Sequence, residues 1–331
     1  MLKTLNLGVI GLGQQGKTHL RNCLHLRRGR LWSVADVSKR NVNLAKRMGV
    51  KNVYTNYEDL LKDARLDAVI VTLPNYLHHE AAIKAAEAGK DIFLEKPLAR
   101  NVEEGEEIVA SVRKNGVKLM LGYDMRFNPV LRRIQEEIHC GFFGKVQIVD
   151  TTNVGSGPFM SRSESGGPTP VPSWWFDKEL VGGGALLDLG SHLINLLSWY
   201  FGKVIDVKSY LGYIYNMELE DTAICILHFK DGPLATVKVG WFSKHNTQSI
   251  HICGTAENLL VRLSPSSTTA TIWKDLKRKA GMFQQDPFYL ELEYFVECLQ
   301  KDEPPNPSGE EGLNDLRIIS LAYKNMQKLA L

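Results

Sequence analysis

The sequence predicts an α/β protein in two parts: an N-terminal doubly wound parallel sheet, then a C-terminal α+β domain with a mostly antiparallel, open sheet. Two patterns carry that prediction. From residue 5 to residue 121, short and continuously apolar runs alternate with stretches of helical period, as expected for strands covered on both faces by crossover helices. From Val146 onward the strands lengthen and alternate apolar with polar residues, which suits antiparallel pairing. The length agrees: 331 residues with 44% hydrophobic content exceed one small core and can fill two.

Leu5 to Ile10 is the first apolar run, stopped by Gly11; a helix-period stretch from Gln14 to Leu26 and a β-rich run from Leu31 to Ala35 complete a β-α-β unit. A helix at Lys39–Met48, a brief strand at Val53 and Tyr54, a helix near Glu58–Leu61 and the strongly apolar strand Ala68–Leu73 continue the alternation. Helix Tyr76–Ala88, strand Asp91–Leu94, helix Val102–Lys114 and strand Val117–Leu121 bring the strands to six. The rhythm changes between Gly122 and Pro129, so the domains are expected at residues 1–124 and 125–331. In the second, helix Val130–His139 precedes strands at Val146–Val154, Val204–Tyr213, Thr222–Phe229, Ala235–Trp241, Ile250–Cys253 and Asn258–Arg262. Helix Gly184–Tyr200 interrupts them, and helices Phe288–Leu299 and Leu313–Leu329 close the chain. The Gly, Pro and Ser-rich stretch Gly155–Ser173 reads as a functional or mobile loop.

Charge excludes some partners. Forty basic and 37 acidic side chains leave a formal +3, with no field that argues for nucleic acid or an anionic membrane. The most basic stretch, Lys274 to Lys279, reads as a solvated helix face. Cys23, Cys140, Cys225, Cys253 and Cys298 are odd in number and never spaced C-x-x-C, so neither a disulfide framework nor a metal site is indicated and a reducing, cytoplasmic setting fits. Met1 to Gly13 is broken by glycines and lacks a small-residue cleavage site, against a signal peptide, and no apolar run approaches the length of a membrane span.

Gly11-Leu12-Gly13-Gln14-Gln15-Gly16 matches G-x-G-x-x-G directly after the first strand and at the start of a helix. In that position Gly11 permits the tight turn, Gly13 lets backbone approach a pyrophosphate, Gly16 allows close helix packing, and the helix N-terminus favours negative charge. The pattern is that of a Rossmann dinucleotide site. Asp36, twenty residues after Gly16 at the end of the second strand, is placed to bond the adenosine ribose hydroxyls and to repel a 2'-phosphate. NAD is therefore the expected cofactor, with NADP the alternative because Lys39 and Arg40 follow closely. Thr72-Leu73-Pro74-Asn75-Tyr76-Leu77-His78 and Phe93-Leu94-Glu95-Lys96-Pro97-Leu98 close the next strands on the edge where such sheets bind ligands, although on position alone Glu95 and Lys96 equally suit an ordinary surface pair. Farther on, Gly182-Gly183-Gly184 opens a helix carrying Asp188 and His192 one turn apart, a spacing that can orient an imidazole for proton transfer near neutral pH but is more often that of a surface pair; the flanking Leu187, Leu189 and Leu193 call for a reason for polar residues here.

Together these segments resemble the glucose-fructose oxidoreductase and inositol dehydrogenase family, Gfo/Idh/MocA, over nearly the whole chain. The glycine fingerprint, Thr72-Leu73-Pro74-Asn75 with His78, Glu95-Lys96-Pro97, Arg126-Phe127-Asn128-Pro129, and Gly182-Gly183-Gly184 with Asp188 and His192 occur in the family's order and spacing. The resemblance implies hydride transfer between a nicotinamide and a secondary alcohol of a sugar, cyclitol or nucleotide-sugar. It makes Lys96 the lysine shared by nicotinamide ribose and substrate, and Asp188 with His192 the substrate-binding and proton-transfer pair. Leu12, Gln14, Gln15, Thr72, Leu73, Pro74, Asn75, His78, Glu95 and Arg126 fall among the expected cofactor contacts, and the Lys96–Pro97 peptide is expected to be cis. Trp174 and Trp175 stand where relatives place substrate-facing residues, and either sugar stacking or buried packing suits them.

One position departs from the pattern: many relatives carry aspartate three residues after the histidine, whereas this chain has Asn195, which can hydrogen-bond but supplies no charge. Two other functions fit the same resemblance, an NAD-dependent glycosidase and a non-catalytic dinucleotide- and sugar-sensing regulator; retention of Lys96, Asp188 and His192 argues against the regulator. A homodimer or homotetramer is expected, because the few helices of the second domain cover only part of its sheet.

Overall fold

The structure, a computed structural model, describes residues 3–162, 168–169, 171–263 and 286–328. It divides into two compact units, Met1–Phe127 with Gln285–Asn314, and Asn128–Gln284 with Asp315–Leu331. The basic stretch Lys274 to Lys279 and residues 163–167 and 170 of the Gly155–Ser173 loop lie outside the described residues.

In the first unit, strands β1 (Leu5–Ile10), β2 (Gly29–Ala35), β3 (Asn52–Tyr54), β4 (Ala68–Val71), β5 (Asp91–Glu95) and β6 (Leu119–Gly122) alternate with helices α1 (Gln14–Cys23), α2 (Lys39–Arg47), α3 (Tyr57–Leu61), α4 (Asn75–Glu87) and α5 (Val102–Asn115). They pair, all parallel, in the order β3-β2-β1-β4-β5-β6. The order reverses between β1 and β4, so a crevice opens there at the carboxyl edge. The strands are apolar because both faces are covered: Ala68, Val69, Ile70 and Val71 are each fully buried.

The second unit begins with α6 (Pro129–His139), capped by the Asn128 side chain, and strand β7 (Val146–Val154). Two short strands follow, β8 (Ser161–Arg162) and β9 (Pro168–Thr169), then α7 (Lys178–Val181), a π-turn at Leu186–Gly190 and α8 (Ser191–Phe201). Strands β10 (Val204–Gly212), β11 (Thr222–Phe229), β12 (Leu234–Gly240), β13 (Thr247–Gly254), β14 (Asn258–Leu263) and β15 (Met326–Lys328) join β7 in a sheet ordered β14-β13-β7-β12-β11-β10-β15. It is mixed: β7 with β12 and β10 with β15 pair in parallel, while the other neighbours are antiparallel. The helical stretch Lys178–Phe201 is long and apolar enough to cross a membrane, but 72% of its most apolar window is buried inside the molecule, as befits a core helix.

Two helices complete the chain, α9 (Pro287–Lys301) and α10 (Gly309–Lys324). Here the expected domain division is corrected, for residues 285–314 cluster with the first unit rather than the second. The reason is burial: Leu292, Phe295 and Val296 of α9 share one core with Leu7, Val9, Leu20 and Phe93. The expected helix Leu313–Leu329 begins earlier and stops at Lys324, giving way to β15.

Candidate active site

The turn from β1 into α1 is built from three glycines with three different neighbourhoods. Gly11 has φ +87, and a Cβ there would stand 2.8 Å from the Thr72 carbonyl oxygen. A Cβ on Gly16 would stand 2.0 Å from the carbonyl oxygen of Gly11, so α1 can pack this closely only on glycine. Around Gly13 no atom of the described residues beyond its own chain neighbours lies within 4 Å of that position, which leaves backbone amides approachable by a ligand. The helices that follow β1, β2 and β4 have no side-chain cap on their N-termini, whereas α3 and α5, after β3 and β5, are capped by Asn56 and Asn101. Uncapped amide donors thus collect beside the crevice. Asp36 is anchored by backbone, accepting from Leu12 N at 2.6 Å and Ser38 N at 2.7 Å, one bond per oxygen; each oxygen keeps a lone pair for a ribose hydroxyl. Lys39 and Arg40 are exposed on the first turn of α2. The crevice fits a dinucleotide.

Several residues expected to touch cofactor also hold the edge together. Thr72 Oγ1 donates to the carbonyls of Ile10 and Gly11, locking the glycine turn. His78 is buried, with Nδ1 and Nε2 each 2.8 Å from a carbonyl oxygen, of Pro97 and Leu73 respectively. Burial first of all holds its pKa below the ordinary value, so the ring is neutral and donates to one carbonyl at a time. Arg126, 3% exposed, donates to Asn306 Oδ1 at 2.6 Å and Glu311 Oε1 at 2.8 Å, which makes it a brace within the first unit. Leu73, Pro74, Asn75 and Lys96 remain half-buried at the carboxyl edge, and the Lys96–Pro97 peptide is cis.

Glu95 is buried with His19, whose Nε2 lies 2.6 Å from Glu95 Oε1. Together with Glu291 of α9 they bring ligating atoms within 4.8 Å of one another. Tetrahedral ligands about 2.0 Å from a zinc ion would stand roughly 3.3 Å apart; at 2.6 Å the histidine and glutamate are hydrogen-bonded to one another instead. Glu291 is fully buried and, among the described residues, neither carboxyl oxygen has a hydrogen-bond partner. Its pKa is raised well above the carboxylate range, by burial first and then by Glu95, Asp124 and Asp286. Asp124 is pushed up to about 6, again chiefly by burial.

In the second unit the glycine cluster serves packing. A Cβ on Gly184 would stand 2.0 Å from the Glu220 carbonyl oxygen, and one on Gly183 2.3 Å from Tyr323 Oη. The buried Glu220 carboxylate accepts from Gly184 N at 3.0 Å, Leu186 N at 3.0 Å and Tyr323 Oη at 2.8 Å, and so anchors the start of the segment that carries Asp188. Asp188 lies within the π-turn, a geometry that often marks functional sites, and His192 follows in the first turn of α8. Trp241 Nε1 donates to Asp188 Oδ2 at 3.3 Å. Trp174 and Trp175 stack with centroids 5.3 Å apart, and both are half-buried rather than enclosed in the core.

Residues 5–123 match the family model described as the oxidoreductase family with an NAD-binding Rossmann fold, and residues 131–259 match the GFO/IDH/MocA C-terminal domain. The chain belongs to the GFO/IDH/MocA family. As a member it is an NAD-dependent oxidoreductase. Among its relatives, a myo-inositol 2-dehydrogenase of Thermotoga maritima is 25% identical across 98% of this chain and 97% of its own. The scyllo-inositol 2-dehydrogenase (NAD(+)) of Bacillus subtilis strain 168 is 27% identical across 90% of this chain and 86% of its own. The fold also matches the WlbA dehydrogenase of Bordetella pertussis, solved with NADH and UDP-GlcNAcA, at TM-score 0.85 and 24% identity over 98% of this chain and 95% of that one. In this GFO/IDH/MocA chain the residues that sequence reasoning missed are the supports: His19, Glu220, Trp241, Glu291 and Asp315. His19 alone had a local signal, one turn after Gly16 on the same helix.

Proposed function

We propose that the protein exchanges hydride between NAD and a secondary alcohol of a cyclitol, free sugar or nucleotide-sugar. The observation that supports this most is Asp188, bonded by Trp241 on a segment whose start Glu220 anchors and one turn before His192, in a unit whose stacked Trp174 and Trp175 leave ring surface exposed. Hydroxylated rings suit such a set, with carboxylate and imidazole for hydroxyls and indole faces for C–H surfaces. The relatives named for inositols act on that class.

When bound, NAD supplies the hydride acceptor. The amides around Gly13 and the uncapped starts of α1 and α4 bind pyrophosphate, and Asp36 accepts from the adenosine ribose hydroxyls. Lys96, cationic, donates to the nicotinamide ribose and stabilises the alkoxide as it forms. A neutral His192 takes the hydroxyl proton, and Asp188 accepts from the substrate ring to fix its orientation. The test is a screen of inositols, levoglucosan and UDP-sugars with NAD+, followed by NADH absorbance. Turnover of at least one is expected, and His192→Ala should lower it by about 10²- to 10⁴-fold while leaving NAD binding intact. Tight NAD binding with no turnover would move the reading to a sensor, sugar release without NADH would move it to a glycosidase, and full activity in His192→Ala would make Lys96 the base.

The assembly we propose is a homodimer or homotetramer in the cytoplasm. The outer face of the seven-stranded sheet presents Ile148, Tyr210, Ile224, Ile226 and Leu234 at 38 to 54% exposure, and the five cysteines are unpaired. Light scattering at micromolar concentration checks it; a monomer would overturn it.

A further inference from the structure

Three aromatic rings meet on the surface of the second unit rather than in its core. Phe159 packs against Tyr215 with centroids 4.6 Å apart and against Phe176 at 5.7 Å, yet Phe159, Phe176 and Tyr215 are 40%, 37% and 46% exposed. Burial of an aromatic ring is favourable, and a fold that gathers three from distant segments ordinarily encloses them. Here they come from a 3₁₀ turn at Gly157–Met160, a second at Ser173–Phe176 that also carries Trp174 and Trp175, and the segment after β10.

Register brings this cluster to the end of the sheet that holds Asp188. Val154, Gly240, Thr222 and Gly212 stand opposite one another in a single row across β7, β12, β11 and β10. The chain leaves that row from Val154 toward Phe159 and from Gly212 toward Tyr215, and Trp241, which donates to Asp188, directly follows Gly240. Contacts tie both rings to the same tryptophan. A Cβ on Gly157 would stand 2.2 Å from Trp241 Cγ, so the turn that carries Phe159 lies against the indole. The Asp221 carbonyl accepts from Trp241 N at 2.8 Å, while Asp221 Oδ2 accepts from Tyr215 N at 2.8 Å.

We propose that Phe159, Phe176 and Tyr215 form a subsite for an uncharged aryl group carried on the hydroxylated ring that Asp188 orients, so that the substrate is an aryl glycoside. This goes beyond the alcohols named above and rests on the reading of Asp188 as a substrate contact. Tilted rings at these separations present both faces and edges, the two modes by which a further planar ring is held. Charge selects the guest. The segments 155–160, 171–180 and 213–221 that carry the rings bring Lys178 as their one cation, against Asp177, Glu179, Glu218, Glu220 and Asp221. A nucleotide-sugar would set its diphosphate in that field, whereas a phenyl aglycone brings no charge to it.

The test is calorimetric titration of the full-length, NAD+-bound protein with phenyl and methyl glycosides in matched pairs, as β-D-glucosides, α-D-glucosides and β-D-galactosides, with UDP-glucose as the charged comparison. At least one phenyl glycoside should bind about tenfold more tightly than its methyl counterpart, the scale of an added aromatic contact. Tyr215→Leu keeps apolar bulk but removes the ring, and should bring that ratio down to about threefold or less. Phe159→Leu should act in the same direction, and it decides where Tyr215→Leu does not fold. The proposal is overturned if no phenyl glycoside binds more tightly than its methyl partner, if the ratio survives in the leucine variants, or if UDP-glucose outbinds every phenyl glycoside. A fall in light-scattering mass for Tyr215→Leu with the ratio kept would assign the rings to a subunit contact and overturn it too. NADH formation is read separately, so a phenyl preference without turnover counts against the hydride-transfer reading and not against this subsite.

Discussion

Two glycine clusters open helical segments in this chain, and they face opposite things. Gly13 looks into space, with no atom of the described residues beyond its own chain neighbours within 4 Å of a would-be Cβ, whereas the same atom on Gly184 would lie 2.0 Å from backbone. The first absence of a side chain makes room for a ligand; the second makes room for the protein itself. The buried carboxylates repeat the contrast. Glu220 is met by two backbone amides and a tyrosine hydroxyl, while Glu291 has no hydrogen-bond partner on either oxygen among the described residues. Residue type therefore says little until the surroundings are known, and a glycine motif is informative about ligands only where its missing Cβ points away from the fold.

The sharpest way to break this comparison is Gly184→Ala. The contact it makes is with a carbonyl oxygen that cannot swing aside, so the loss should be at least about 3 kcal/mol, seen as a large fall in melting temperature. Near-parental stability would mean the second cluster is not a packing device. Gly13→Ala should do the reverse: stability within about 0.5 kcal/mol of the parent, but NADH affinity, read by fluorescence titration, weaker by about tenfold, or about 1.4 kcal/mol. Equal loss in both assays would put Gly13 and Gly184 in the same class.

Glu291→Gln tests the carboxylates and has the smallest effect. Because the folded state holds the Glu291 proton above the ordinary carboxylate value of 4.5, it binds more protons than the unfolded chain once pH passes that value. Stability from this group is complete below about pH 4.5 and declines as pH rises through the folded pKa. Glutamine carries no charge at any pH, so the variant should gain on the parent as pH rises above about 4.5, by a few degrees at most. Melting curves that run parallel across that range would show that Glu291 does not carry a raised pKa.

Local pattern was enough to read the first sheet, because its strands are continuous apolar runs punctuated by glycine, and to place Val146–Val154 and Thr222–Phe229 at their observed ends. The conformation of the glycine turn and the anchoring of Asp36 depend on neighbours within one β-α-β unit, which is why local pattern reaches them. What escaped depends on partners far along the chain. The π-turn at Leu186–Gly190 is anchored by Glu220, and His78 and Arg126 are engaged by Pro97, Asn306 and Glu311, partners that no local pattern announces. Asn195 read alone was a lost charge; Asp315 stands 120 residues away in sequence and 2.6 Å away in space.

The return of α9 to the first unit has a consequence for how the chain is made. Leu7, Leu20 and Phe93 leave the ribosome early, yet Leu292, Phe295 and Val296, which finish their core, come last but for the final helix and strand. The nascent sheet must therefore wait, its apolar flank uncovered, while every strand of the second sheet except β15 is synthesised. A fragment ending at residue 124 would keep that flank bare for good, and holdase chaperones would have reason to bind it.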